Sequence, residues 1–353
     1  MFTSSLWSIP NVRILGRHSS TQPVKLRHTA SGLECVFSGS ELWFTIIAEF
    51  DRFEPWISIE LNGAWITRMP LARGENHVCV FRGMTPGVPK RIRLLKDVQA
   101  MSDDPAHAIT LVSAQYSDGA FLPLPQPLYR LEFVGDSITS GEGTIGAVQE
   151  EDWIPAFFSA MNHYARYTAD ALNAEYRIFS QSGWGILSGW DNNPTHALPP
   201  YYETVCGFGG DNTPNDFTGW KADAVIINLG ANDESAMHNP PFSLPDGTTF
   251  SHPGLAALED AVVSFLKTVR KKNPDAILVW ACGMLGGKGT MNTIERGVDR
   301  YRRETGDSKA FFRELPETTP ETIGARQHPG QRNHAQAAES LAPYLKQLLI
   351  SHK

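Results

Sequence analysis

Short runs of β-branched and aromatic residues fill the first 125 residues, and several of them alternate apolar with polar positions. Clusters of Gly, Pro, Asn and Asp separate the runs. Asn62-Gly63, between two such runs, is a typical two-residue hairpin loop. Many short strands at fairly regular spacing predict an all-β sandwich or jelly roll. The predicted strands are Leu33–Phe37, Leu42–Glu49, Trp56–Leu61, His77–Arg82, Arg91–Lys96 and Ala108–Gln115.

From Tyr129 onward the pattern changes to apolar runs that alternate with helical periodicity. Such alternation predicts an α/β domain with a mostly parallel sheet and helices on both faces. The proline-rich stretch Phe121–Pro127 precedes it, so we expect domains at 1–125 and 126–353. The predicted strands are Tyr129–Val134, Glu175–Ser180, Ala222–Leu229, Ala276–Ala281 and Ala310–Leu315. The predicted helices are Phe157–Asn173, Leu255–Lys272, Val298–Thr305 and Gln331–Ile350.

Composition narrows the functional classes. A net charge of -7 argues against a general nucleic-acid binder. No apolar run reaches the roughly 20 residues that a membrane span needs, so we expect no membrane partner. The four cysteines are scattered without CxxC spacing, which indicates neither a zinc site nor a redox pair. No secretory signal is visible at the amino terminus, so the sequence leaves the compartment open.

Four polar segments follow predicted strands or precede the last helix. They are Gly135-Asp136-Ser137, Ser180–Gly185, Gly230–Asp233 and His328-Pro329-Gly330. In a doubly wound sheet the carboxyl ends of the strands line one crevice, where ligands bind. We therefore expect these four segments to converge on a site.

The residue types in these segments suit acyl transfer. Ser137 is a candidate nucleophile, and His328 is the candidate base that removes its proton. The tetrahedral intermediate needs donors for its oxyanion, and the backbone N–H groups of Ser137 and Gly183 and the amide of Asn232 can supply them. This chemistry requires neither a metal nor an organic cofactor.

The four segments, in this order, resemble the blocks of the SGNH (GDSL-type) hydrolase superfamily. The β-rich domain in front and the phrases Glu132–Thr139 and Ser180–Gly185 are similar to carbohydrate esterase family 2. That resemblance implies a flavodoxin-like hydrolase domain behind a jelly roll. It also implies removal of O-acetyl groups from plant polysaccharides such as xylan or glucomannan, so we expect an acetylated carbohydrate as the partner.

One position departs from the superfamily pattern. Most members have an aspartate three residues before the histidine, and this chain has Ala325 there. The resemblance to family 2 implies a Ser-His dyad in which a backbone carbonyl orients the imidazole. Asp136, Asp233 and Glu321 remain alternatives for a third member.

Several of these residues also have a purely structural interpretation. Ser137 could be a helix N-cap, and Asn232 could be a turn residue. Trp184, Trp190 and Tyr201 lie in crevice loops, where flat aromatic faces suit sugar rings. Packing of the loops on the sheet explains them equally well.

Two further features near the last strands and the last helix have structural interpretations. We interpret His334 as a surface or loop-bracing residue. Gly283–Thr290 fails the phosphate-loop pattern and is expected to be a flexible loop.

The alternative functions are a lipid or short-chain acyl esterase or thioesterase on the same site, and a non-catalytic carbohydrate-binding protein.

Overall fold

The computed structural model describes residues 1–19 and 22–352. These residues form two compact units. The first comprises 1–127, 153–161 and 204–215, and the second comprises 128–152, 162–203 and 216–353. Two segments that follow the proline-rich stretch therefore group with the amino-terminal unit.

The first unit contains two antiparallel sheets. One has the order β1-β10-β5-β8 with β3 also on β10, and the other has the order β11-β4-β9-β6-β7 with β2 also on β4. The strands are β1 (Phe2–Ser5), β2 (Arg13–Leu15), β3 (Lys25–Leu26), β4 (Gly32–Phe37), β5 (Leu42–Glu49), β6 (Trp56–Leu61), β7 (Ala64–Pro70), β8 (Gly74–Phe81), β9 (Lys90–Lys96), β10 (Ala108–Tyr116) and β11 (Phe121–Leu122).

Apolar side chains from both sheets share one buried cluster. Phe44 and Ile46 of β5 lie in it together with Ile57 of β6 and Leu94 of β9. The predicted hairpin is confirmed, because β6 and β7 pair antiparallel across Asn62-Gly63. Both loop residues have positive φ, which this two-residue turn requires.

The second unit is built on one parallel sheet. Its strand order is β13-β12-β16-β19-β20, and all four neighbouring pairs are parallel. Numbered within the unit this order is 2-1-3-4-5, the flavodoxin-like arrangement, so the predicted parallel sheet is confirmed. The strands are β12 (Tyr129–Gly135), β13 (Ala174–Ser180), β16 (Ala224–Asn228), β19 (Ile277–Cys282) and β20 (Ala310–Glu314).

Six α-helices accompany this sheet in the described residues. Helix α2 packs with α6, and α4 packs with α5. Two small hairpins complete the strands: β14 (Thr204–Cys206) with β15 (Asp211–Pro214), and β17 (Phe242–Ser243) with β18 (Thr249–Phe250). The helices are α1 (Ser137–Ser140), α2 (Tyr164–Ala171), α3 (Ala231–His238), α4 (Leu255–Lys272), α5 (Lys288–Thr305) and α6 (Gln331–Ser351).

Two predicted helices have different bounds in the structure. The helix predicted over Phe157–Asn173 begins only at Tyr164, because His163 caps it by accepting from the N–H of Ala165 at 3.2 Å. Before the cap, the N–H of Ala160 donates to the buried carboxylate of Asp97 at 2.7 Å instead of to a helical carbonyl. The helix predicted over Val298–Thr305 starts ten residues earlier, so the end of the expected loop Gly283–Thr290 is helical.

Candidate active site

Ser137 lies at the carboxyl end of β12, as the first residue of α1. Asp136 caps this short helix, since its Oδ1 accepts from the N–H of Ile138 at 3.1 Å. Gly141 ends the helix in the left-handed conformation. The strand and the two caps leave Ser137 little freedom, and its side chain is 6% exposed. The N-cap of α1 is therefore Asp136 and not Ser137.

His328 reaches Ser137 from the loop before α6. The distance between His328 Nε2 and Ser137 Oγ is 2.8 Å. The other ring nitrogen, Nδ1, donates to the main-chain oxygen of Arg326 at 2.7 Å. Because Nδ1 carries the proton in this arrangement, Nε2 of the neutral ring is free to accept from the serine hydroxyl. The geometry is that of a nucleophile beside its base.

None of the three carboxylates considered as a third member contacts His328. Asp136 caps α1, and Glu321 is exposed and accepts from Thr319 Oγ1 at 2.7 Å. Asp233 accepts from two backbone N–H groups of the loop after β13. A carboxylate that does lie close to the ring is that of Glu142, whose Oε2 is 3.9 Å from His328 Nε2.

Glu142 was missed by sequence reasoning. It follows Gly141, the residue that ends α1, and is 2% exposed, and its Oε1 accepts from Arg326 Nε at 2.6 Å. Charged side chains are seldom this buried without a partner. The only signal available in the sequence was its place five residues after Ser137, which by itself indicates no role.

Gly183 lies in the loop after β13, and Asn232 lies in the first turn of α3, which follows β16. Gly183 has φ of 78°, a conformation that glycine adopts without strain. Asn232 Nδ2 donates to the main-chain oxygen of Trp184 at 3.0 Å and to Asp136 Oδ2 at 3.3 Å. These contacts join the segments that carry Ser137, Gly183 and Asn232, as expected for strand ends meeting at one edge.

Asp233 braces the loop that carries Gly183. Its carboxylate is fully buried and accepts from the N–H groups of Ile186 at 2.8 Å and Leu187 at 2.9 Å. His252 Nε2 lies 3.3 Å from the same carboxylate. From the sequence, Asp233 is only a candidate partner of the base. Residue spacing does not show which side chain accepts from the backbone N–H groups of a folded loop.

The three aromatic candidates differ in exposure. Trp184 is 4% exposed, and its ring stacks on His196 with centroids 5.1 Å apart. Tyr201 packs against the same indole at 5.5 Å. This burial counts against the prediction that Trp184 stacks on a sugar and favours a role in packing the loop. Trp190 is 53% exposed and lies beside Gly183, where an added Cβ would be 3.1 Å from its Cδ1.

Buried histidines lie behind the nucleophile helix. His163 Nε2 donates to the main-chain oxygen of Ile138 at 3.1 Å, and burial lowers the pKa of His163 to about 4. His334 is fully buried and accepts from the N–H of Tyr164 at 3.2 Å. The interpretation of His334 as a surface residue was therefore wrong, although it does brace the start of α2. Burial also lowers its pKa well below the usual range.

The acidity of Asp136 is altered by its surroundings. Burial raises its pKa to about 7, and the nearby charge of Asp233 contributes in the same direction. The N–H of Ile138 opposes the shift without cancelling it. The carboxyl thus carries a substantial fraction of neutral form near pH 7.

The described residues offer neither a metal site nor a membrane-spanning helix. Across residues 1–19 and 22–352, no group of three or more His, Cys, Asp or Glu side chains is arranged to hold a metal ion. In that same part of the chain, no helix combines the length and the apolar character that crossing a membrane takes. At the start of α5, the N–H of Gly289 donates to Glu234 Oε2 at 3.2 Å, so a side chain of the protein already occupies this helix end.

Comparison with known proteins decides the family. A model described as the GDSL-like Lipase/Acylhydrolase family matches residues 133–317, just over half of the chain. The chain belongs to this family. The matched residues include Ser137, Gly183 and Asn232, whereas His328 lies beyond them. The predicted superfamily and the predicted class, a carboxylic ester hydrolase, are thereby confirmed.

Solved structures and a curated relative narrow the similarity. An acetyl xylan esterase, Est2A, from the rumen bacterium Butyrivibrio proteoclasticus is 39% identical, with a TM-score of 0.95 over 100% of this chain and 99% of that one. A family two carbohydrate esterase from Clostridium thermocellum in complex with cellohexaose is 25% identical, with a TM-score of 0.83 over 96% and 99%. The Cellulase/esterase CelE of Acetivibrio thermocellus is 28% identical over 89% of this chain, which spans only 35% of that protein.

Proposed function

We propose that this chain is a serine esterase that removes O-acetyl groups from carbohydrate through a Ser-His dyad and an acetyl-enzyme. The observation that carries the proposal is the 2.8 Å contact between His328 Nε2 and Ser137 Oγ, with a carbonyl behind Nδ1. The names of the relatives support the choice of acetyl ester and of carbohydrate.

The first half of the reaction forms the acetyl-enzyme. Ser137 Oγ attacks the acetyl carbonyl carbon while His328 Nε2 takes the hydroxyl proton. When the tetrahedral intermediate collapses, the C–O bond to the sugar breaks and the imidazolium returns the proton to the departing sugar oxygen. The carbonyl of Arg326 keeps the proton on Nδ1, so the ring stays oriented throughout.

Donors around Ser137 stabilise the oxyanion of the intermediate. The N–H groups of Ser137 and Gly183 supply two, and Asn232 Nδ2 supplies the third. Its 3.3 Å contact with Asp136 is the weaker of its two hydrogen bonds and is the one that an oxyanion replaces. Such a donor typically contributes about 10²–10³ in rate.

The second half regenerates the serine. Water loses a proton to His328 and attacks the acetyl-enzyme, Ser137 recovers a proton from the imidazolium as its bond to the acyl carbon breaks, and acetic acid leaves and ionises in solution. Every proton is carried by His328, so the cycle needs no co-reactant other than water.

Substrate recognition is assigned to the loop after β13. Trp190 presents an exposed ring next to Gly183, and we assign it as the face on which the sugar that carries the reacting acetyl group stacks. Acetylated xylan and glucomannan are the proposed substrates. The division into domains 1–125 and 126–353, and the assignment of the first as a jelly roll, belong to the same proposal.

Hydrolysis of p-nitrophenyl esters tests the reaction class. We expect the wild-type protein to cleave the acetyl ester and Ser137→Ala to lose at least about 10³-fold in kcat while it stays folded. An acetyl ester cleaved much faster than an octanoyl ester supports deacetylation. Preference for octanoyl, or for an acyl thioester, would replace it with a lipid esterase or thioesterase. Absence of all hydrolysis would favour a carbohydrate-binding protein.

A further inference from the structure

The carbonyl behind His328 belongs to a residue with an unusual backbone. Arg326 has φ of 56° and ψ of 30°, and Gln327 has φ of 55°. Non-glycine residues adopt this left-handed region rarely, and β-carbon crowding makes two in succession unfavourable unless other contacts hold them. The orientation of His328 therefore depends on what fixes this turn.

The side chain and the backbone of Arg326 are both bound to one segment, residues 142–151. Arg326 Nε donates to Glu142 Oε1 at 2.6 Å, and Nη1 donates to the main-chain oxygen of Glu151. The N–H of Arg326 donates to the main-chain oxygen of Glu150 at 2.7 Å. Three donors of a single residue thus tie the turn to the chain that leaves the nucleophile helix.

Close packing brings the two segments together. An added Cβ on Gly143 would lie 2.5 Å from His328 Cβ, and Gly143 has φ of 76°. The main-chain oxygen of Gly143 also accepts from the N–H of Ala325 at 3.1 Å. Glycine at this position lets the backbone next to Glu142 approach the loop that carries the base.

Glu142 does not take the place of the missing aspartate. An acid that orients the base contacts Nδ1, whereas Glu142 lies 3.9 Å from Nε2 and uses its other oxygen for Arg326. The guanidinium of Arg326 balances the buried negative charge of Glu142. Glu142 therefore affects His328 by holding Arg326, whose carbonyl contacts Nδ1.

We propose that the Glu142–Arg326 ion pair positions His328 and does the orienting work that a carboxylate does in a Ser-His-Asp triad. The inference rests on the proposed function of Ser137 and His328. Glu142 and Arg326 are positioning residues: they hold the Arg326 carbonyl on Nδ1, so that Nε2 faces Ser137. Substrate binding does not depend on them.

Kinetics of two single variants and their combination test this pair. Arg326→Gly keeps the left-handed backbone accessible but removes the anchor, and Glu142→Gln keeps the size of the side chain but removes its charge. With p-nitrophenyl acetate, we expect each to lower kcat more than fivefold with KM within twofold of wild type. The double variant should be no worse than the poorer single one, because both changes abolish the same ion pair.

The controls separate this inference from the reaction itself. Arg300→Gln removes a part-exposed arginine of α5 that bonds Glu304, and we expect kcat within twofold of wild type. The positioning role is tested only against active wild-type protein and inactive Ser137→Ala. Given those two results, the role is wrong if kcat of either Arg326→Gly or Glu142→Gln falls fivefold or less. It is also wrong if the loss lies in KM. Inactive wild-type protein would instead overturn the proposed function. If Arg326→Gly does not fold, Glu142→Gln alone decides.

Discussion

Nδ1 of His328 donates to the main-chain oxygen of Arg326 at 2.7 Å, at the ring position that a triad gives to a carboxylate. A carbonyl can fix the tautomer and the ring plane as a carboxylate does. It stabilises the positive charge of the imidazolium only through its dipole, whereas a carboxylate carries a full negative charge. The candidate base is thus oriented by the backbone, and its orientation depends on the local fold more than on one acidic side chain.

The dyad predicts that changing the acids that do not contact His328 matters little. Glu321→Gln should keep kcat within twofold of wild type, because Glu321 bonds Thr319 and is exposed. Asp136→Asn should keep far more activity than His328→Ala, for which we expect a loss of at least about 10³-fold. Steady-state kinetics with p-nitrophenyl acetate measures this. A loss in Glu321→Gln or Asp136→Asn as deep as that of His328→Ala would reveal a third member.

Asp233 should influence kcat through the Gly183 loop. In Asp233→Asn an NH2 group replaces one carboxylate oxygen. Because this NH2 group cannot accept a hydrogen bond, one of the backbone N–H groups of Ile186 and Leu187 loses its acceptor. We expect kcat to fall about tenfold or more as the loop shifts, with KM nearly unchanged. Asp191→Asn is the matched control in the same loop, where the carboxylate accepts from Asn193 N–H, and it should stay within twofold. Equal kinetics for both variants would contradict the bracing role.

Trp190 should matter for polysaccharide and not for a small ester. Removal of an exposed stacking ring costs about 1 kcal/mol, so Trp190→Ala should raise KM for acetylated xylan about fivefold. The KM for p-nitrophenyl acetate should stay within twofold. Trp65→Ala, which removes another part-exposed indole, serves as the control. An unchanged polysaccharide KM in Trp190→Ala would remove this residue from substrate recognition.

Asp136 makes a pH-dependent contribution to stability. Burial raises its pKa from 3.8 to about 7, so between those values the folded state holds a proton that the unfolded state has lost. Raising the pH through this window therefore lowers the free energy of unfolding. The neighbouring charges of Asp233 and Glu142 act in the same direction.

Urea unfolding at pH 5, 6, 7 and 8 isolates this contribution. The free energy of unfolding of the wild type, minus that of Asp136→Asn, should fall from pH 5 to about pH 7 and then level off, because above the folded pKa of about 7 both states have lost the proton. Parallel pH profiles for the two proteins would show that Asp136 does not titrate in this window.

The sequence allowed the parallel sheet and the meeting of Ser137 with His328 to be predicted, because strand ends in a doubly wound sheet share one edge. It did not reveal Glu142, whose contact with Arg326 joins positions 184 residues apart. The helix predicted from Phe157 failed for a similar reason. Its periodicity was real, but the N–H of Ala160 bonds Asp97, a partner 63 residues away.

The aromatic residues show another limit of sequence reasoning. Trp184 and Trp190 are both loop tryptophans near Gly183, and residue type alone makes them equally good candidates for stacking on a sugar. Their exposures, 4% and 53%, depend on whether His196 and Tyr201 fold over the ring. Packing of this kind is decided by the whole loop, so sequence spacing could not distinguish the two residues.

Acetate release from acetylated xylan and glucomannan, measured for the wild type and for Ser137→Ala, tests the central claim most directly. The account predicts that the wild-type protein releases acetate from at least one of these polysaccharides and that Ser137→Ala releases at least about 10³-fold less while remaining folded. Wild-type protein that releases no acetate, or a Ser137→Ala variant that releases it at the wild-type rate, would contradict the account.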